Sequence, residues 1–262
     1  MHQKRISFAG AGRVGGAICM ELFKAGYQID LIVSESENSS ILLAGLCNSS
    51  WSAELSFPDS TDVIIVAVPD HKLISVLNTL KCRPDTLVAH TAGSFGLGVF
   101  PEKIEHQGIF YPLQTFTKGR NVNFRQIPLL IEASDAKSSG TLEELAKSIC
   151  GKVYFTDAEH RKMLHIAAVF VSNFTNHLLT LGKDVSVKAG YQFEILEPLI
   201  VETISKAMAI GPENSQTGPA IRNDRNTMEK QFDLLSFSPE LQAIYLDLTR
   251  SIIEYYKDKR QK

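Results

Sequence analysis

The sequence predicts an α/β protein: a doubly wound parallel sheet over residues 1–156, followed by an all-α domain over residues 157–262. Three observations predict it. Of the 17 glycines, 13 lie before residue 157 and 4 after it, and glycine serves where the backbone turns tightly or approaches a ligand. Residues 62–68 place Val63, Ile64, Ile65 and Val66 in succession, an unbroken apolar run of the kind expected from a parallel strand buried on both faces. Short apolar runs alternate with helical periodicity in the first half, whereas helical periodicity alone fills the second.

The elements follow in order. Residues 5–9 read as a strand, 14–25 as a helix stopped at Gly26, 28–33 as a second strand and 41–47 as a second helix. A third strand is expected at 53–57 and a fourth at 62–68, ended by Pro69, with Asp70 as cap of a helix through Leu80. Strands at 86–90, 108–111, 128–132 and 153–156 and a helix at 138–149 complete a parallel sheet covered on both faces. Beyond Asp157, a plausible cap, helices are expected from there to about Gly182, then over 194–210, 225–235 and 239–257.

Composition excludes several classes. The 27 Lys and Arg against 29 Asp and Glu give a net charge of -2, and a chain without a basic face is not expected to bind nucleic acid. No run of eighteen apolar residues is present, so no membrane span is expected. The basic start at His2, Lys4 and Arg5 is followed at once by Gly10 and Gly12, unlike a signal peptide. Cys19, Cys47, Cys82 and Cys150 have no metal-binding or disulfide-framework spacing. Reduced thiols in a cytoplasmic protein are the expectation.

The motif Gly10-Ala11-Gly12-Arg13-Val14-Gly15 lies between the first strand and the first helix. In a Rossmann-type α/β unit the first glycine permits the tight turn, the second admits a pyrophosphate to the backbone, and the third lets helix and sheet pack closely. The helix N-terminus then offers N–H groups and the positive end of its dipole to the diphosphate. Glu35 stands twenty residues after Gly15, where a carboxylate would accept from the ribose hydroxyls of NAD. Ser34 and Ser36 flank it with hydroxyls suited to a 2′-phosphate, and Arg13 would add positive charge. NAD(H) and NADP(H) both stay open, with local chemistry leaning to NAD.

A second informative stretch is 164–181, apolar almost all round and so expected to be a buried central helix. At about 100° per residue, Ser172, Asn176, Thr180 and Asn173 fall on one face with His165. That face reads either as the wall of a ligand cleft or as helix–helix and dimer contacts. Two clusters follow strand ends, where ligands bind in parallel sheets: His90-Thr91-Ala92-Gly93-Ser94 and Tyr111-Pro112-Leu113-Gln114-Thr115. A third runs from Thr217 through Gly218 and Pro219 to Arg222, Asn223 and Asp224. Asp224 would cap the next helix, and Arg222 would offer fixed charge to a substrate carboxylate.

Together with Ala67-Val68-Pro69-Asp70, these motifs resemble the Rossmann-like NADP-dependent oxidoreductases with a helical C-terminal domain of unassigned function. That family is distantly related to pyrroline-5-carboxylate reductase, ketopantoate reductase and 6-phosphogluconate dehydrogenase. The resemblance covers nearly the whole chain and implies NADP(H), with Val68 and Pro69 beside the cofactor and a homodimer formed through the helical domain. This chain departs from the pattern at three positions. Glu35 replaces an Arg, Tyr111 replaces a His, and Val169 stands where better-characterised relatives carry a Lys. The function so implied is hydride transfer to or from a small carbonyl, imine or hydroxy compound. His165 or His90 would act as acid/base, with Asn173, Ser94, Tyr111, Gln114, Thr217 and Arg222 around the substrate. The alternative is a non-catalytic dinucleotide-binding sensor or regulatory protein.

Overall fold

The computed structural model describes residues 4–117, 119–120 and 122–257. Eight strands form one sheet: β1 (Arg5–Ala9), β2 (Gln28–Val33), β3 (Ser50–Ser52), β4 (Val63–Val66), β5 (Leu87–His90), β6 (Gln107–Pro112), β7 (Pro128–Ala133) and β8 (Lys152–Phe155). Their spatial order is β3-β2-β1-β4-β5-β6-β7-β8. Helices α1 (Arg13–Lys24), α2 (Glu37–Leu46), α3 (Asp70–Thr79) and α4 (Ala136–Ile149) connect them. Every side chain of β4 is buried, and each such aliphatic group contributes about 1.5–3 kcal/mol on burial. Phe8, Ile18, Leu22, Leu142 and Leu145 belong to the core cluster on one side; Ile64, Leu73, Leu77 and Val88 belong to the other.

The sheet departs from the expected topology at one pair. β6 and β7 run antiparallel, with Ile109 opposite Glu132 and Tyr111 opposite Leu130, whereas β7 and β8 are parallel. Direction cannot be read from an apolar run, since the same side-chain pattern satisfies either ladder. The third strand also lies earlier than expected, at Ser50–Ser52. It is an edge strand with two serines, so it carries little apolar signal, and buried Phe57 of the expected strand belongs to the loop beyond it.

By contacts the chain divides into two compact units, Met1–Asn173 and Phe174–Lys262, later than the glycine count suggested. Helix α5 (Ala158–Ala168) thus falls in the first unit, where its Arg161 is fully buried and bonded to Glu132 and to the Phe95 carbonyl. After α5 comes a π-helical turn, Val169–Phe174, and then α6 (Thr175–Lys188). The second unit continues with α7 (Glu197–Ile210), α8 (Pro212–Ser215), α9 (Pro219–Arg222), α10 (Arg225–Leu234) and α11 (Pro239–Tyr255).

The 31-residue helix Ala158–Lys188 is long and apolar enough, by length and composition, to cross a membrane, although no eighteen consecutive residues in it are apolar. Nor is it the buried central helix expected: Val171 is 76% exposed and Ile166 49%. The π turn adds a second correction. An i→i+5 turn winds less per residue than an α turn, so Ser172, Asn173, Asn176 and Thr180 do not follow His165 at the regular helical step.

Candidate functional site

The glycine motif folds as its spacing requires. Gly10 follows β1 at φ +109°, and a Cβ there would lie 2.3 Å from the Ala67 carbonyl oxygen. A Cβ on Gly15 would lie 2.2 Å from the Gly10 carbonyl oxygen, so this glycine sets how closely α1 approaches the sheet. Gly12 differs from both, since a Cβ there would meet nothing within 4 Å. It caps α1 without a side-chain hydrogen bond, and the first turn carries no acidic residue. The helix N-terminus therefore presents uncompensated N–H groups and positive dipole. Exposed Arg13 begins the helix, and half-buried Val14 packs against the core.

This turn opens on a cleft of about 410 Å³, within the range of cofactor sites. Gly10 and Gly12 line it with Ser34, Glu35 and Ser36 after β2, Val68 and Pro69 after β4, and Lys72 of α3. Lys72 donates through Nζ to Glu35 Oε2 at 2.5 Å, and this cation draws the exposed carboxyl below its ordinary pKa. Ser34 Oγ accepts from the Ser36 N–H at 3.2 Å. A carboxylate and hydroxyls stand at one end and free backbone N–H groups at the other. These are the donor and acceptor types that a dinucleotide's ribose and diphosphate require, so the residues present fit that group.

A second constellation stands further along the same carboxyl ends of the parallel strands. Tyr111, near the end of β6, and His165, on α5, meet with Oη and Nδ1 2.9 Å apart, their rings edge to face at 6.0 Å. Gly93 makes this contact fit: a Cβ there would lie 2.8 Å from Tyr111 Cζ and 2.9 Å from His165 Nδ1. Burial raises the Tyr111 phenol, opposed by the field of Arg161 and reinforced by that of Asp70, so the hydroxyl stays protonated. His165 Nε2 makes no hydrogen bond among the described residues and remains available.

The registers of β6, β7 and β8 place the start of α5 close to this contact. β8 runs with β7, and its last residue, Phe155, pairs with Ile131, which faces Phe110 across the antiparallel pair, so the chain leaves the sheet level with Phe110 before it enters α5. Arg161 is level with Glu132, which pairs with Ile109. His165 stands one helical turn beyond Arg161, and its ring meets the phenol.

The remaining residues fall as follows. Asp70 is the first residue of α3, not its cap; Pro69 holds the cap position and no side chain bonds there. The Asp70 carboxylate instead accepts from Ser94 Oγ. Gln114 is exposed and accepts from the Thr115 N–H at 2.8 Å. Asn173 is exposed within the π turn. Thr217 and Arg222 are exposed in the second unit, where Asn223 takes the left-handed conformation at φ 54° and Asp224 caps α10 by accepting from Thr227. Lys72, Arg161 and Glu132 escaped the sequence reading, whereas Gly93 lies in the cluster it placed after a strand end. Only Arg161 left a trace there, one helical turn before His165.

His90 is fully buried, stacked on Phe100, and accepts at Nδ1 from the Ala92 N–H at 3.2 Å. Burial lowers its pKa from 6.5 to about 4, opposed by the Gly96 carbonyl and reinforced by Arg161. The ring is thus neutral at physiological pH and shielded from water. Its folded pKa lies below the unfolded value, so the unfolded state takes up the proton first. Stability present above about pH 6.5 is therefore lost as the pH falls toward 4. The loss is on the order of 3 kcal/mol. Urea titrations of the protein and of His90→Asn at pH 7 and pH 5 should show a steeper loss for the wild type; equal slopes would remove His90 as the cause.

Comparison with known proteins accords with this architecture. A Rossmann-like domain model matches residues 1–116, and the model described as Domain of unknown function (DUF2520) matches residues 127–252. A candidate NADP oxidoreductase from Bacteroides fragilis is 35% identical, with 96% of this chain and 98% of that chain covered at a TM-score of 0.87. An imine reductase from Pseudomonas sp. shares the fold at 14% identity, 99% and 94% coverage and a TM-score of 0.66. A pyrroline-5-carboxylate reductase from Coxiella burnetii does so at 16% identity, 98% coverage of both chains and a TM-score of 0.58. Among curated proteins no sequence match was found. With the glycine cradle and the sheet order in place, the two domain matches and the full-length Bacteroides relative show that this chain belongs to the family joining a Rossmann-like domain to a DUF2520 domain.

Proposed function

We propose that the chain is an NAD(P)H-dependent oxidoreductase acting on a small carbonyl, imine or hydroxy compound. The observation that carries this reading is the cradle, in which the uncapped N-terminus of α1 and the bare Gly12 open on the cleft between β1 and β4. When bound there, a nicotinamide dinucleotide supplies or accepts a hydride. The protein handles the proton. His165 Nδ1 shares a hydrogen bond with Tyr111 Oη; with its proton on Nδ1 the ring is fixed, and Nε2 is left to give a proton to the substrate oxygen or nitrogen in reduction, or to take one in oxidation. Tyr111, neutral and half-buried, serves to orient it, and His90 serves the core.

Calorimetric titration tests this reading. The protein should bind NADPH or NADH saturably. Gly12→Ala should fold normally yet weaken that binding by about tenfold or more, because the added methyl enters the space the diphosphate needs. Absence of saturable binding by either nucleotide would overturn the proposal. A sensor without turnover is favoured by one feature, the apolar Val169 at the start of the π turn where relatives carry a Lys. It predicts the same binding with no oxidation of NADPH across a panel of small ketones and cyclic imines.

We also propose a homodimer through the helical domain. Its support is the apolar surface that one chain leaves uncovered, with Leu199, Val201, Ile204 and Met208 of α7 all exposed and Met208 at 82%. Sedimentation equilibrium should return twice the 29.0 kDa chain mass; a monomer at micromolar concentration would overturn this.

A further inference from the structure

The end of the cleft that fits the adenosine ribose carries two opposite charges that cancel each other. Glu35 leaves the tip of β2, and Lys72 lies in the first turn of α3, 37 residues away in sequence and 2.5 Å away in space. Of the side chains lining the cleft, Lys72 is the cation and Glu35 the anion. Both are exposed, Lys72 at 41% and Glu35 at 82%. Such a pair contributes little to folding, because water competes for both partners. It is therefore free to be exchanged for a better partner.

We infer that Glu35 and Lys72 select the cofactor by the group on the adenosine 2′ carbon: Lys72 leaves Glu35 to hold a 2′-phosphate, and Glu35 accepts from a free 2′-hydroxyl. The inference rests on the dinucleotide reading of this cleft. Charge decides between the two states. A phosphate monoester carries about -1.5 to -2 at neutral pH, so it attracts an ammonium group more strongly than one carboxylate does. The hydroxyls of Ser34, Ser36 and Ser39 line the same end and donate to phosphate oxygens. His71, beside Lys72, already adds positive field at Glu35. A 2′-hydroxyl carries no charge to draw the lysine away. With NADH, Lys72 therefore stays on one carboxylate oxygen while the other accepts from the ribose. The Glu35 that replaces an arginine thus does not commit the protein to NAD(H), since the missing cation comes from α3.

The test is calorimetric measurement of Kd for NADPH and NADH on the full-length protein, Lys72→Met and Glu35→Gln. Lys72→Met should weaken NADPH about tenfold or more and leave NADH within about twofold. Glu35→Gln should weaken NADH severalfold and tighten NADPH. The NADPH affinity of the wild type should also fall more steeply with added salt than that of Lys72→Met. An NADH/NADPH ratio that moves by less than about twofold in both variants, with both nucleotides still bound, overturns the selector and leaves the dinucleotide reading standing. A wild type that binds neither nucleotide overturns both.

Discussion

Replacing His165 by Gln is expected to lower turnover by about 10²- to 10⁴-fold, the range that a positioned general acid contributes, while leaving the Kd for NADPH unchanged. His165 meets Tyr111 on the side of Gly93 and is absent from the lining of the cradle cleft, so the two measurements separate. Tyr111→Phe should cost less, about tenfold, because the ring loses its anchor and not its proton. It should change the pH dependence of turnover along with its magnitude, since the phenol shares a hydrogen bond with Nδ1. Single-turnover oxidation of bound NADPH, on whichever ketone or cyclic imine supports it, reads both effects. An unchanged rate in His165→Gln would transfer the proton to another group.

Arg161→Met is expected to destabilise the first unit by about 3–5 kcal/mol, the cost of leaving one partner of a buried ion pair uncompensated. Arg161 is fully buried, with one arm on Glu132 and another on the Phe95 carbonyl. Removing it strands the carboxylate and frees a carbonyl. The double variant Arg161→Met/Glu132→Leu should recover a large part of the loss, because apolar groups of similar volume need no partner. Urea titration measures all three proteins. A single variant within about 0.5 kcal/mol of wild type would show that the pair is not structural.

Much of the fold could be read from the chain because buried strands announce themselves. The four aliphatic residues of β4 and the glycine turn after β1 each admit few alternative structures. The parts that were misread lack such a signature. β3 is an edge of Ser50, Trp51 and Ser52, and its pairing with β2 depends on the neighbour more than on its own residues. The reversal between β6 and β7 leaves the apolar pattern unchanged. Asp70 has the chemistry of a helix cap, but Ser94 competes for the same carboxylate. In the candidate site the cradle is local and was visible. The Tyr111–His165 contact spans 54 positions and the Lys72–Glu35 contact 37, distances at which no spacing rule operates. The helical wheel through 164–181 failed because a π turn changes the angular step without a marker in the sequence.

Two contacts made four residues apart on α5 make part of this chain intolerant of length change. Arg161 is held at Glu132, and His165 meets Tyr111 one helical turn later. One residue gained or lost within that helical turn would swing the imidazole by about 100° while the anchor below it stayed fixed. Insertions and deletions between positions 161 and 165 should therefore be purged far more strictly than substitutions at the exposed positions between them.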